Sequence, residues 1–78
     1  MKSVHQPEYQ KLLEELIKAR KDAGLTQQRL ATKLKKHQSF ISKYEQGERR
    51  LDVIELTKIA EILGIDYKAL IDKALRSK

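Results

Sequence analysis

The chain has 78 residues and no cysteine, so it is one small domain with neither a disulfide framework nor a thiolate metal site. No apolar run approaches the roughly 20 residues of a membrane span, and the first residues lack a signal-peptide core, so we expect a soluble, intracellular protein. Only four residues are aromatic, and apolar residues recur at helical spacing, which predicts an all-α fold.

The net charge of +6 is concentrated in the middle third of the chain. Residues 26–50 carry seven basic and two acidic side chains, whereas residues 1–25 carry five and four and residues 51–78 carry five of each. Such a segment attracts polyanions, and counterion release should make the binding weaken steeply with salt. The alternative is a basic surface that only keeps the protein soluble, which does not explain why the charge is concentrated.

The N-terminal part predicts a flexible tail over residues 1–6, followed by a helix. Pro7 suits the first turn of a helix, and Gly24 ends a pattern that runs to about residue 23. The stripe at i, i+3, i+4 spacing consists of Tyr9, Leu12, Leu13, Leu16, Ile17 and Arg20. Arg20 needs a partner, because an unpaired buried charge is costly.

The segment 26–50 predicts two short helices joined by a tight turn, one from Gln27 to Leu34 and one from Gln38 to Gln46. Their inner faces comprise Leu30, Ala31 and Leu34 in the first helix and Ile41, Tyr44 and Glu45 in the second. The outer face of the second helix comprises Gln38, Ser39, Ser42, Lys43 and Gln46. Because these side chains can bond base edges and phosphates, the pattern predicts a helix-turn-helix with its second helix in the DNA major groove.

Residues 12–63 resemble the helix-turn-helix of the Cro and phage-repressor (XRE-type) transcriptional regulators. The resemblance is carried by Leu25-Thr26-Gln27, Leu30-Ala31, Ile41-Ser42, and Glu45 followed two residues later by Gly47. It implies a compact, five-helix, lambda-repressor-like domain with the motif at helices 2 and 3. It also implies a sequence-specific regulator that binds double-stranded DNA.

Two sets of residues are candidates for DNA contacts. We expect bases to be read by Gln38, Ser39, Ser42 and Lys43, since glutamine can bond adenine N6 and N7, and lysine can bond guanine. We expect phosphates to be bound by Gln27, Lys36, Gln46, Arg49 and Arg50. Gln27 follows Thr26, a good N-cap, and the resemblance implies a phosphate contact for this glutamine. Phe40 either packs against the first motif helix or touches a thymine methyl group.

Three positions near the motif raise separate questions. Lys35 stands where the family usually has glycine, because the chain there needs φ > 0. Either the fold tolerates a cost of about 1–2 kcal/mol, or the turn has another shape. Arg20 and Glu45 both lie on inner faces and should pair, as the resemblance also implies, unless both are independently solvated. His37 has no neighbouring ligand at metal spacing, so we expect neither a metal nor a cofactor.

The C-terminal part predicts two more helices. Asp52 begins the first with a capping-box pattern and Gly64 ends it. Its buried side chains should be Ile54 or Leu56, with Ile59, Ala60 and Leu63. A last helix over 66–76, capped by Asp66, completes a single domain over 7–76. Its apolar face comprises Tyr67, Leu70, Ile71, Ala74 and Leu75. This face either folds back on the core or meets a second copy. The last three residues, Arg76, Ser77 and Lys78, should fray.

These features predict a transcriptional repressor that acts as a homodimer on a near-palindromic operator, with two reading helices about 34 Å apart. The alternative is an antitoxin-type module that also binds its own operator and holds a protein partner, such as a toxin, with its last helix or tail. We do not expect an enzyme, since the sequence has no placed nucleophile–base pair, phosphate loop or metal spacing. The resemblance implies a cytoplasmic, nucleoid-associated protein of a bacterium or phage.

Overall fold

The computed structural model describes residues 6–76, which form five α-helices and no strand. The helices are α1 (Pro7–Asp22), α2 (Gln27–Leu34), α3 (Gln38–Glu45), α4 (Val53–Leu63) and α5 (Tyr67–Leu75). The predicted all-α fold is confirmed. The expected N-terminal tail and the frayed end lie outside the described residues, apart from Gln6, which caps α1, and Arg76, which caps α5.

The helices begin and end where local side-chain chemistry favours it. The Thr26 hydroxyl accepts a hydrogen bond of 3.0 Å from the Arg29 backbone N–H at the start of α2. Asp52 and Glu55 form a reciprocal capping box at the start of α4. Gly64 ends α4 in the left-handed conformation, at φ 72°. The boundaries of these helices are therefore set by side chains that act within one helical turn.

One apolar core joins all five helices. The largest fully buried side chains are those of Leu16, Leu30, Ile41, Tyr44 and Ile59. In α4 the core takes Leu56, whereas Ile54 is 60% exposed, which decides between the two predicted alternatives. Since Ile41 and Tyr44 are buried on one side of α3, the opposite side of that helix faces solvent.

The last helix packs on the first one. Leu70 and Ala74 are buried, and Ile71 packs against the edge of the core. Leu75 remains 59% exposed. The fold therefore covers part of the predicted apolar face of α5 and leaves its C-terminal end open. None of the helices within residues 6–76 is long and apolar enough to cross a membrane.

Candidate nucleic-acid interface

The turn between α2 and α3 has the left-handed conformation expected of a glycine, although it contains lysine. Lys35 has φ 59° and ψ 43° and ends α2. The Lys36 backbone N–H then donates to the Ala31 carbonyl oxygen over 2.9 Å. The fold thus tolerates the conformational cost at Lys35, and the turn keeps the shape that the motif requires.

The outer face of α3 projects away from the core. Gln38, Ser39, Lys43 and Gln46 are exposed, and Ser42 is half-buried. The short turn packs α3 closely against α2, which fixes the direction of this face. The structure therefore gathers the four expected base-reading side chains, with Gln46 beyond them, on one accessible surface.

A chain of hydrogen bonds links this face to the interior. The Gln38 side-chain amide donates to Gln27 Oε1 over 3.2 Å, and the Gln27 amide donates to Glu45 Oε1 over 2.9 Å. Because a carboxylate only accepts, the Gln27 nitrogen faces Glu45 and its oxygen faces Gln38. Gln38 therefore turns its amide nitrogen toward Gln27. The sequence carries no local signal for these contacts, since they form only when α2 and α3 pack.

The chain of hydrogen bonds ends at a buried ion pair. Arg20 Nε lies 2.7 Å from Glu45 Oε2, and the two side chains are only 10% and 5% exposed. Arg20 Nη1 also donates to the Leu25 carbonyl oxygen over 2.9 Å. The structure thus contains the pair expected from two charges on apolar faces, and the pair connects α1 to α3.

The loop between α3 and α4 holds two arginines in different surroundings. Arg49 donates to both Glu55 carboxylate oxygens over 2.9 and 2.7 Å, and it lies 4.8 Å from the Phe40 ring centre. The Arg49 guanidinium lowers the pKa of Glu55, and the hydrogen bond raises the pKa of Arg49 in turn. Arg50 lies 4.8 Å above the Tyr9 ring instead. No local sequence pattern predicts these partners, because they lie on other helices.

The remaining candidate residues lie in the turn before α3 or in the first turn of that helix. Phe40 packs edge-to-face on Tyr44, with ring centres 5.7 Å apart, which favours packing over a thymine contact. Lys36 is exposed and lies 5.4 Å from the Phe40 ring centre. His37 precedes α3 without a side-chain cap. Within residues 6–76, no cluster of acidic, histidine or cysteine side chains could hold a metal ion.

Comparison with known proteins assigns this arrangement to a family. A family model described as "Helix-turn-helix" matches residues 16–70, which is more than half of the chain. A solved structure, an XRE-family like protein from Pseudomonas syringae pv. tomato str. DC3000, is 47% identical, with a TM-score of 0.86. The alignment covers 96% of this chain and 92% of that one. This chain belongs to the XRE-type helix-turn-helix family. No curated protein shows a match.

Membership of the XRE-type family indicates what this surface binds. The protein is a DNA-binding transcription regulator, and α2 and α3 are its helix-turn-helix. In this XRE-type chain the outer face of α3 is flanked by the exposed, basic Lys35 and Lys36. Polar and basic side chains on one side of a helix pair can bond base edges and phosphates along a DNA groove.

Proposed function

We propose that this protein represses transcription by occupying a near-palindromic operator as a homodimer, with α3 of each copy in the major groove. The observation that carries the proposal is the exposed Gln38 at the N-terminal end of α3, whose amide nitrogen is hydrogen-bonded to Gln27. The N-terminal end of a recognition helix is the part that contacts base edges. A side chain fixed before binding loses less conformational freedom when the complex forms.

Gln38 can still bond a base while it is bonded to Gln27. Its amide nitrogen has a second hydrogen, and its oxygen accepts no hydrogen bond from residues 6–76. One donor and one acceptor are what adenine N7 and N6 require. We assign Ser39, Ser42 and Lys43 to the neighbouring bases, because they share the outer face of α3.

The phosphate contacts are assigned to residues that border this face. Gln27 stands at the start of α2, where backbone N–H groups favour an anion. Lys36 and Gln46 are exposed at the turn before α3 and at its end, and Arg50 lies in the following loop. These contacts would position the protein on the duplex without reading its sequence. Arg49, also expected at a phosphate, differs from them because its guanidinium is paired with the Glu55 carboxylate.

The homodimer is assigned to the part of the apolar face of α5 that the core leaves uncovered. Leu75 is largely exposed, and Tyr67 and Ile71 are only half-buried. A two-fold axis near this surface would place the two α3 helices about 34 Å apart, one turn of DNA. We place such a repressor in the cytoplasm, on the nucleoid.

The proposal is tested by selecting duplexes from a randomised pool at physiological salt. Gln38→Ala and Ser39→Ala should each change the preferred base at one position, by roughly 1–3 kcal/mol per good contact. Gln28→Ala is the matched control, because Gln28 is an exposed glutamine on α2 and should leave base preference unchanged. If both α3 variants select the wild-type sequence, the assignment of the reading residues is wrong.

A further inference from the structure

The two arginines of the α3–α4 loop differ in whether a carboxylate of the described residues neutralises their charge. The bidentate pairing of Arg49 with Glu55 neutralises its charge locally. Arg50 makes no ion pair with a carboxylate anywhere in residues 6–76, and its contact is with the face of the Tyr9 ring. Adjacent residues of the same type therefore offer DNA different amounts of free positive charge.

Arg49 is held from two directions. One edge of its guanidinium meets the Glu55 carboxylate, and its central carbon lies 4.8 Å from the centre of the Phe40 ring of α3. We call these three residues the Arg49 clamp. Glu55 also accepts the Asp52 backbone N–H over 3.0 Å, so the clamp is anchored in the first turn of α4. The clamp thus ties the loop to α3 on one side and to α4 on the other.

A second anchor follows directly after Arg50. The Leu51 backbone N–H donates to the Tyr9 hydroxyl over 3.0 Å, which ties the loop to α1. Arg50 therefore stands between two fixed points, the clamp before it and the Tyr9 contact after it. A residue fixed on both sides has little freedom to lose on binding.

We propose that Arg49 is a positioning residue, and that its clamp with Phe40 and Glu55 presents Arg50, rather than Arg49 itself, to a DNA phosphate. The proposal rests on the proposed DNA-binding function and separates the roles of two residues that the sequence treats alike. It revises the expectation that both arginines bind phosphate.

Glu55→Gln distinguishes the two roles by the sign of its effect. The substitution removes a negative charge, so it should strengthen DNA binding if Arg49 is a phosphate contact that Glu55 restrains. If Arg49 positions the loop, the same substitution weakens binding, because a neutral amide pairs less strongly with a guanidinium. Glutamine at this position keeps an oxygen for the capping box, so α4 retains its start.

The experiment measures affinity for the selected duplex across a salt series. Glu55→Gln and Arg49→Lys should weaken binding roughly three- to tenfold, the effect of releasing one or two ordered side chains, with an unchanged salt slope. Arg50→Gln should lower the slope by about 0.9, the value for one phosphate contact. The proposal is overturned if Glu55→Gln binds as tightly as the wild type or more tightly. It also fails if Arg49→Lys retains wild-type affinity, or if Arg49→Gln flattens the slope as Arg50→Gln does.

Amide hydrogen exchange of the free protein tests the clamp without DNA. In Glu55→Gln, the amides of Arg49 and Leu51 should exchange faster, while those of Leu16 in α1 and Leu70 in α5 should not change. Unchanged loop exchange would refute the clamp, whatever the DNA results. If the wild type selects no duplex, the proposed function fails and the role given to Arg50 fails with it, whereas loop exchange still decides whether the clamp exists.

Discussion

Lys35 has a backbone conformation that most side chains avoid, and this suggests a stabilising substitution. Among residues 6–76 it is the non-glycine residue with positive φ. Lys35→Gly would remove a cost of about 1–2 kcal/mol, less the roughly 0.5–1 kcal/mol that glycine loses in chain entropy. We expect the free energy of unfolding to rise by up to about 1 kcal/mol, measured by urea denaturation.

Lys36→Gly is the matched control for that prediction. Lys36 is an exposed lysine in the same turn, but its φ is not positive. Glycine at position 36 would only increase the conformational entropy that the chain loses on folding, so the free energy of unfolding should fall slightly. Equal effects at the two positions would mean that the left-handed backbone at Lys35 is not strained.

Tyr44 carries a buried polar atom without a partner. Its ring is fully buried in the core, and its hydroxyl oxygen makes no hydrogen bond within the described part of the chain. Burial raises the pKa of this hydroxyl well above its ordinary value. Tyr44→Phe should raise the free energy of unfolding by about 1 kcal/mol, since the buried hydroxyl is lost and the ring is kept. A loss of stability in thermal denaturation would show that the hydroxyl is satisfied in solution.

At the scale of elements, Glu15 joins α5 to α1. It lies 3.2 Å from Lys73 of α5 and 3.2 Å from Lys11 of its own helix. The hydrogen bond from Lys73, and then that from Lys11, lower the pKa of Glu15. The stabilisation is therefore complete above the ordinary glutamate pKa of about 4.3, and it is lost as pH falls through the lowered value.

Glu15→Gln should reproduce that loss at neutral pH. We expect the free energy of unfolding to fall by about 0.5–1 kcal/mol at pH 7, and the difference from the wild type to be smaller at pH 3, where Glu15 is more protonated. Urea denaturation at both pH values measures it. Glu14→Gln, at an exposed neighbour without an ion pair in residues 6–76, should change stability little at either pH. A pH-independent difference at Glu15 would exclude the ion pairs as its cause.

At the scale of the whole molecule, the proposed homodimer can be tested at the exposed end of α5. Leu75→Glu should weaken the proposed dimer by at least about tenfold. Two leucines would leave the interface, and each, being 59% exposed in the monomer, would contribute only part of the roughly 1.5–3 kcal/mol of a fully buried leucine. Sedimentation of the free protein measures this. Val53→Glu is the control, since Val53 is 57% exposed and lies on α4, away from this surface. A monomeric wild type, or an unchanged Leu75→Glu dimer, would contradict the assignment.

Local sequence patterns were enough to predict the helices and the motif, and they favoured the pairing of Arg20 with Glu45. Caps such as Thr26 and Asp52 act within one helical turn, and two charges on apolar faces have few other partners. Only the tertiary structure decided that Leu56 rather than Ile54 is buried and that Lys35 keeps the family's turn.

The contacts that hold the candidate DNA-binding side chains also form only when the helices pack. Gln38 on Gln27, Arg49 on Phe40 and Arg50 on Tyr9 are contacts between different elements. Their geometry depends on the angles at which the helices pack, and those angles result from the whole core. For this reason the local sequence around each residue predicts that it is exposed, and not which partner orients it.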